Sequence, residues 1–174
     1  MANATFIENA DYFVELAKIY KDEVDFAFKP HPLLKQKLYE HENWGKERTE
    51  QYWEFWRKSD NTQLENGAYI DLFIGSDAMI HDCSSFIIEY LYVKKPVLYL
   101  NNTIRSGLNK YGQLGFDAVP KAQKSSDIED FIKAVISGQA ENIMDITAKL
   151  IPEVRPSVAI TEHFSKCFDC ELSK

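Results

Sequence analysis

Two short stretches carry residues whose types and spacing suit phosphate chemistry. In FKPHP, residues 28–32, His31 stands between two prolines and follows Lys29. In HDCSSFIIEYLYVKKPVLYL, residues 81–100, the polar or small group Asp82, Cys83, Ser84 and Ser85 interrupts two apolar runs. An imidazole titrating near neutrality can give a proton or a hydrogen bond to a leaving phosphate, and Lys29 or the nearby Lys35 can offset its charge. Two serines at a helix start add hydroxyl donors to the unpaired backbone N–H groups and the positive end of the helix dipole, an arrangement that favours an anion. Each stretch also has a purely architectural reading: Ser84 as a helix cap, Asp82 as a turn support, His31 and Lys29 as solvated loop residues.

The elements around these residues decide between the readings. Phe13, Leu16, Ala17 and Tyr20 share one face at helical spacing, so residues 4–21 are expected to form an amphipathic helix. Val24 to Phe28 alternates as a strand, Pro30 and Pro32 end it, and a short helix is expected just after His31. KERTEQYWEFWRKS predicts a second, aromatic-rich helix over 46–59, and the polar connector NTQLENG leaves room for a short strand. Around Asp71 a short helical segment is expected to stop at Gly75. Ala78 to Ile80 then reads as a strand, Ser84 to Val93 as a helix and Pro96 to Leu100 as a strand covered on both faces, the length of a parallel crossover unit. FDAVPKA is a candidate last strand, and SSDIEDFIKAVISG a helix with a Ser or Asp cap that ends at Gly138, with more helix after it.

Strands alternating with helices predict an α/β fold, a Rossmann-like parallel sheet flanked by helices, in one domain over 1–174. Ligands of such sheets bind beyond the carboxyl ends of the strands. His31 and the Asp82–Ser85 turn both follow predicted strands, so they should meet at one sheet edge, and that pairing favours a phosphate site over two unrelated loops.

Composition narrows the choices. The chain has 174 residues, 45% of them hydrophobic and 13% aromatic, which is the make-up of a folded domain with a core. A net charge of −7 argues against general nucleic-acid binding, so any phosphate must be held locally. No signal-peptide or membrane-spanning pattern is seen, so a cytoplasmic location is expected. Cys83, Cys167 and Cys170 are too few for a disulfide framework, and CFDC has no second ligand pair, so reduced thiols, no metal and no cofactor are expected.

Together the two stretches resemble the C-terminal half of the CDP-glycerol:poly(glycerophosphate) glycerophosphotransferase family, the teichoic-acid-type polymerases and their capsule-related relatives. The family pattern is Lys-x-His-Pro, then Asp-aromatic-Ser-Ser, an acidic residue one helical turn on, and Lys-Pro before a buried strand. It is met by Lys29, His31 and Pro32, then Asp82, Ser84, Ser85, Glu89, Lys95 and Pro96. The resemblance implies the donor-binding domain of a two-domain GT-B transferase, here without its acceptor domain and truncated on its N-terminal side. It implies transfer of a polyol phosphate from a CDP-activated donor to a polymer acceptor, with release of CMP. By the same resemblance His31 is catalytic at the donor diphosphate, Ser84 and Ser85 bind phosphate, and Asp82 orients the turn. Glu89 either approaches the ribose or is a solvent-facing helix charge.

The departures are local. Cys83 replaces the usual aromatic residue, Glu89 is one methylene longer than the usual Asp, and NNTIRSGLNKYGQLGFD replaces an Arg-Gly-aromatic-Asp segment, where Arg105 and Lys110 are either phosphate contacts or loop charges. Two alternatives follow. One is a non-catalytic nucleotide- or partner-binding module, whose aromatic face of Trp44, Tyr52, Trp53, Phe55 and Trp56 packs on an absent domain or touches the inner face of the cell membrane, the other reading being ordinary core packing for at least half of these rings. The other is a GT-B enzyme using a CMP- or UDP-sugar.

Overall fold

The computed structural model describes residues 4–83, 86–100 and 107–140. Its spine is α1 (Ala4–Ile19). The apolar residues of this helix recur at a period that wraps two faces, and both are covered. Ala10 and Ala17 pack among the rings of Phe6, Trp44, Tyr52, Trp53 and Trp56. Leu16 and the following Tyr20 pack with Leu98, Ala122, Ile128 and Ile132 on the other side. One helix therefore joins two apolar clusters that would otherwise be separate.

The strands are short and parallel. β1 (Phe26–Phe28) pairs with β2 (Thr62–Leu64) in the register Phe26–Thr62, Ala27–Gln63, Phe28–Leu64. Between them the chain makes α2 (Leu34–Tyr39) and α3 (Gly45–Lys58). After α4 (Ile70–Gly75), β3 (Met79–His81) and β4 (Val97–Tyr99) pair in parallel across α5 (Phe86–Leu91), which is the crossover unit that the sequence predicts. Val97, Leu98 and Tyr99 are all buried, as expected of a strand covered on both faces. The two ladders share no strand pairing among the described residues, but Phe26 of β1 and Ile80 of β3 lie in the same apolar layer beneath α1. The fold is thus α/β with short parallel strands and flanking helices.

Two expectations differ from what is observed. FDAVPKA is not a strand: Phe116, Asp117 and Ala118 form the last turn of α6 (Lys110–Ala118), and only Lys121 pairs, as a single parallel bridge to Tyr99. The side chain of Asn109 caps α6 by accepting the Gly112 N–H at 2.8 Å. The two glycines of α6 mask its helical pattern, yet Gly115 is needed there. A Cβ at this position would stand 2.5 Å from Ile88 Cδ1 and 3.0 Å from Ile87 Cγ2 on α5. The second difference concerns the cap of α7 (Ser126–Ile136). Ser125 does not cap it, because its hydroxyl donates to Asn9 of α1 at 3.0 Å. The carboxylate of Asp127 takes the first-turn role by accepting the Gln123 and Lys124 N–H groups. Gly138, at φ +69°, ends the helix as predicted, with the Gly138 and Gln139 N–H groups returning to the Val135 and Ala134 carbonyls. The further helix expected beyond it lies outside the described residues.

The aromatic face of α3 points inward. Trp44, Tyr52, Trp53 and Trp56 are 3–6% exposed and only Phe55 is half-buried, so these rings are core and not a surface for a missing domain or a membrane. Phe28 is their hub, with ring centroids 5.2–5.8 Å from Phe6, Tyr52, Trp53 and Trp56. Each buried ring of this kind contributes about 1.5–3 kcal/mol by area, and favourable pair geometry adds about 0.5–1.5 kcal/mol.

A polar lock joins α1 to α7. The hydroxyls of Tyr12 and Tyr20 donate to the two carboxylate oxygens of Glu129 at 3.1 and 3.0 Å, and Lys133 stands 2.9 Å away. Lys133 first, then the two phenols, hold the Glu129 carboxyl below its ordinary value near 4.5. The unfolded chain therefore binds this proton more readily, so the contribution is intact above about pH 4.5 and is lost as pH falls through the lower folded value.

Two outcomes are expected from these contacts. Gly115→Val should destabilise the chain by about 1–3 kcal/mol in denaturant unfolding, because α5 and α6 must separate to admit the side chain; wild-type stability would show that this crossing is loose. Glu129→Gln should lower the melting temperature near neutral pH, and its gap to wild type should narrow below about pH 4.5. A gap that does not change with pH would contradict the lock.

Candidate functional site

The loop that carries His31 is anchored at both ends. Phe28 precedes it inside the aromatic cluster, and Leu34, 6% exposed in the same cluster, follows it. Within the loop His31 is exposed, and its Nδ1 accepts the Leu33 N–H at 3.2 Å. With Nδ1 an acceptor, the neutral ring carries its proton on Nε2, so a donor is available on the side away from the backbone.

Lys29 does not point freely at a ligand. Its Nζ donates to the Gly67 carbonyl at 2.9 Å, which ties the end of β1 to the segment between β2 and α4. That segment continues to Tyr69, whose ring lies 4.9 Å from Phe86 at the start of α5 and whose phenol feels the Glu89 carboxylate of the same helix. The hydrogen bond to Glu89 is the main cause that raises the Tyr69 phenol above its ordinary value. Residues 67–69 therefore run as a strap from Lys29 to Glu89, and the structure links these two predicted residues through it. Lys35 is engaged elsewhere: it pairs with Glu50 at 3.0 Å and sits over the rings of Tyr39 and Trp53, so it does not serve His31.

The second stretch is built on β3 and β4. Asp82 is exposed, and its carbonyl accepts the Tyr99 hydroxyl at 3.1 Å. The Cys83 carbonyl accepts from Nδ1 of His81 at 3.0 Å. Ser84, Ser85 and Arg105 lie outside the described residues. Lys95, matched in the Lys-Pro element, donates to the Ile74 carbonyl at 2.5 Å and to that of Ser76, and so closes the end of α4 over the start of β4.

Three side chains near the predicted site were not singled out in the sequence: Tyr69, His81 and Tyr99. His81 is 8% exposed, and its ring stands edge-on to Tyr99 with centroids 5.0 Å apart. Because Nδ1 donates to a carbonyl, Nε2 is an acceptor, and among the described residues it has no hydrogen-bond partner. Burial pushes the imidazole down to about 4, against a smaller upward pull from the Cys83 carbonyl. Tyr99 is pushed up to about 12, chiefly by burial. The available signal for His81 is a polar residue that ends an apolar strand directly before the Asp-Cys-Ser-Ser turn.

These features define an α/β domain in which His31 follows β1 and the Asp82 turn follows β3, each beyond the end of a parallel strand, the ordinary ligand-binding position of such folds. The model of the CDP-glycerol:poly(glycerophosphate) glycerophosphotransferase family matches residues 4–145, and the chain belongs to that family. No curated protein and no solved structure matches it. Among the described residues no helix is long and apolar enough to cross a membrane.

The state of His81 gives a pH signature. The unfolded imidazole takes its proton near 6.5 and the folded one only near 4, so between these values the unfolded chain binds more protons. Stability should fall as pH drops from 6.5 towards 4, with a His81 share of at most about 3 kcal/mol. His81→Asn should lose that share, as read by denaturant unfolding at the two ends of the window; equal pH slopes for variant and wild type would rule it out.

Proposed function

We propose that this chain is the donor-binding part of a transferase that moves a polyol phosphate from a CDP-activated donor to a polymer acceptor and releases CMP. Family membership carries the reading, and the geometry of the His31 loop supports it. An acceptor hydroxyl attacks the phosphorus that bears the polyol, and its proton passes to water as the new P–O bond forms. The bond from that phosphorus to the bridging oxygen breaks, and the electron pair leaves with CMP. Nε2–H of His31 hydrogen-bonds the leaving phosphate and stabilises the charge that develops on it.

The remaining assignments follow the same reading. Ser84 and Ser85 bind phosphate oxygens, Asp82 orients the turn, and Glu89, held by Tyr69, faces the ribose hydroxyls. Lys29 fixes the strap beside the His31 loop. The acceptor polymer is met in a cleft formed with a second domain, on the inner face of the cell membrane.

Calorimetric titration of the chain with CDP-glycerol, CDP, CMP and UDP tests this. CDP-glycerol and CDP should bind more tightly than UDP, and His31→Ala should weaken diphosphate binding by about tenfold, the size of one lost charge-assisted hydrogen bond. A folded chain that binds none of the four nucleotides would overturn the reading, and a preference for UDP would point to a sugar transferase.

A further inference from the structure

Two buried side chains on neighbouring strands hold two consecutive carbonyls of one turn. His81, the last residue of β3, donates from Nδ1 to the carbonyl of Cys83. Tyr99, the last residue of β4 and the register partner of His81, donates its hydroxyl to the carbonyl of Asp82. The rings meet edge to face at 5.0 Å, so each fixes the orientation of the other. The Tyr99 ring also meets Phe116 of α6 near perpendicular at 5.4 Å, a second ring contact that restricts it.

This arrangement has a consequence for backbone direction. In a planar trans peptide the carbonyl and the following N–H point in opposite directions. The Asp82 carbonyl is directed to the Tyr99 hydroxyl, so the Cys83 N–H is directed to the other side of the chain. The Asp82 side chain, exposed to solvent, takes its bearing from the same peptide.

We infer that His81 and Tyr99 are positioning residues of the donor site: through the Asp82 and Cys83 carbonyls they set the backbone of the turn that Asp82 opens and that the donor-binding reading places beside the phosphates. The inference rests on the donor-binding reading above and extends it to two residues that do not themselves touch the donor. Simple burial does not account for His81. An apolar side chain in its place would bury no orphan Nε2, whereas the imidazole retains one that has no partner among the described residues. What the imidazole supplies that Leu or Val cannot is the Nδ1–H on Cys83. Asparagine places an amide N–H at nearly the same position and should replace it.

The test uses the full chain and its variants His81→Leu, His81→Asn and Tyr99→Phe, with two readouts. The first is calorimetric affinity for CDP-glycerol. It should fall by about tenfold in His81→Leu and in Tyr99→Phe, and stay within about threefold of wild type in His81→Asn, at unchanged fold content by circular dichroism. The second is the rate of iodoacetamide alkylation of Cys83, followed by peptide mass mapping, which senses the turn whether or not a nucleotide binds. It should change several-fold in the same two variants and return towards wild type in His81→Asn. Wild-type affinity and wild-type alkylation in His81→Leu would overturn the inference. A wild-type chain that binds no CDP-glycerol would overturn the donor reading, and the alkylation rates would then decide alone whether the two side chains hold the turn. Equal losses in His81→Leu and His81→Asn would mean that the ring acts by packing and would also overturn it.

Discussion

The packing of Phe28 is the constraint on which the first half of the chain depends. Its ring is the point where α1, through Phe6, and α3, through Tyr52, Trp53 and Trp56, meet the sheet. Protein interiors are close-packed, so rings in mutual contact leave the strand end almost no freedom. The next residues in the chain are Lys29, Pro30 and His31. A histidine that is itself exposed is therefore placed by apolar groups that never approach a ligand, and Leu34 repeats the anchor on the far side of the loop.

The second half is built on a different principle. The Asp82 turn is held by directional polar contacts from His81 and Tyr99, not by rings alone. The strap at residues 67–69 joins the two solutions. It accepts from Lys29 at the Gly67 carbonyl at one end and sets the Tyr69 phenol toward Glu89 and the Phe86 ring at the other. The two strand ladders share no pairing among the described residues, so the strap adds to the shared apolar layer beneath α1 in joining them. Its residues look like an unremarkable polar connector when read in isolation.

The elements legible in the sequence are those with a strong period or an unambiguous stop. α1, α3 and α7 follow from helical spacing, the β3–α5–β4 unit from apolar runs broken by polar turns, and the end of α7 from Gly138. α6 was hidden because Gly112 and Gly115 look like loop residues, whereas the second is required by a close helix crossing that no local pattern reveals. The motif residues were readable as types, but their partners were not. That Lys29 holds a carbonyl, that Lys35 belongs to Glu50, and that His81 and Tyr99 reach adjacent carbonyls are facts of tertiary register. The aromatic face of α3 was ambiguous for the same reason, since amphipathic spacing shows that a face must be covered but not by what.

The lock between α1 and α7 also bears on how the chain comes to fold. Tyr12 and Tyr20 reach Glu129 across sequence separations of 117 and 109 residues. Contacts this distant close large loops, and their cost in chain entropy must be met before they return any stability. During synthesis from the N-terminus, the face of α1 that bears Leu16, with the following Tyr20, completes its cover only when Ile128 and Ile132 join Leu98 and Ala122. The other face has its partners much sooner, in α2 and α3. One helix thus has an early side and a late side. The nascent chain carries part of this apolar stripe uncovered until α7 emerges, so its late folding step, and its exposure to aggregation, are set by the arrival of α7.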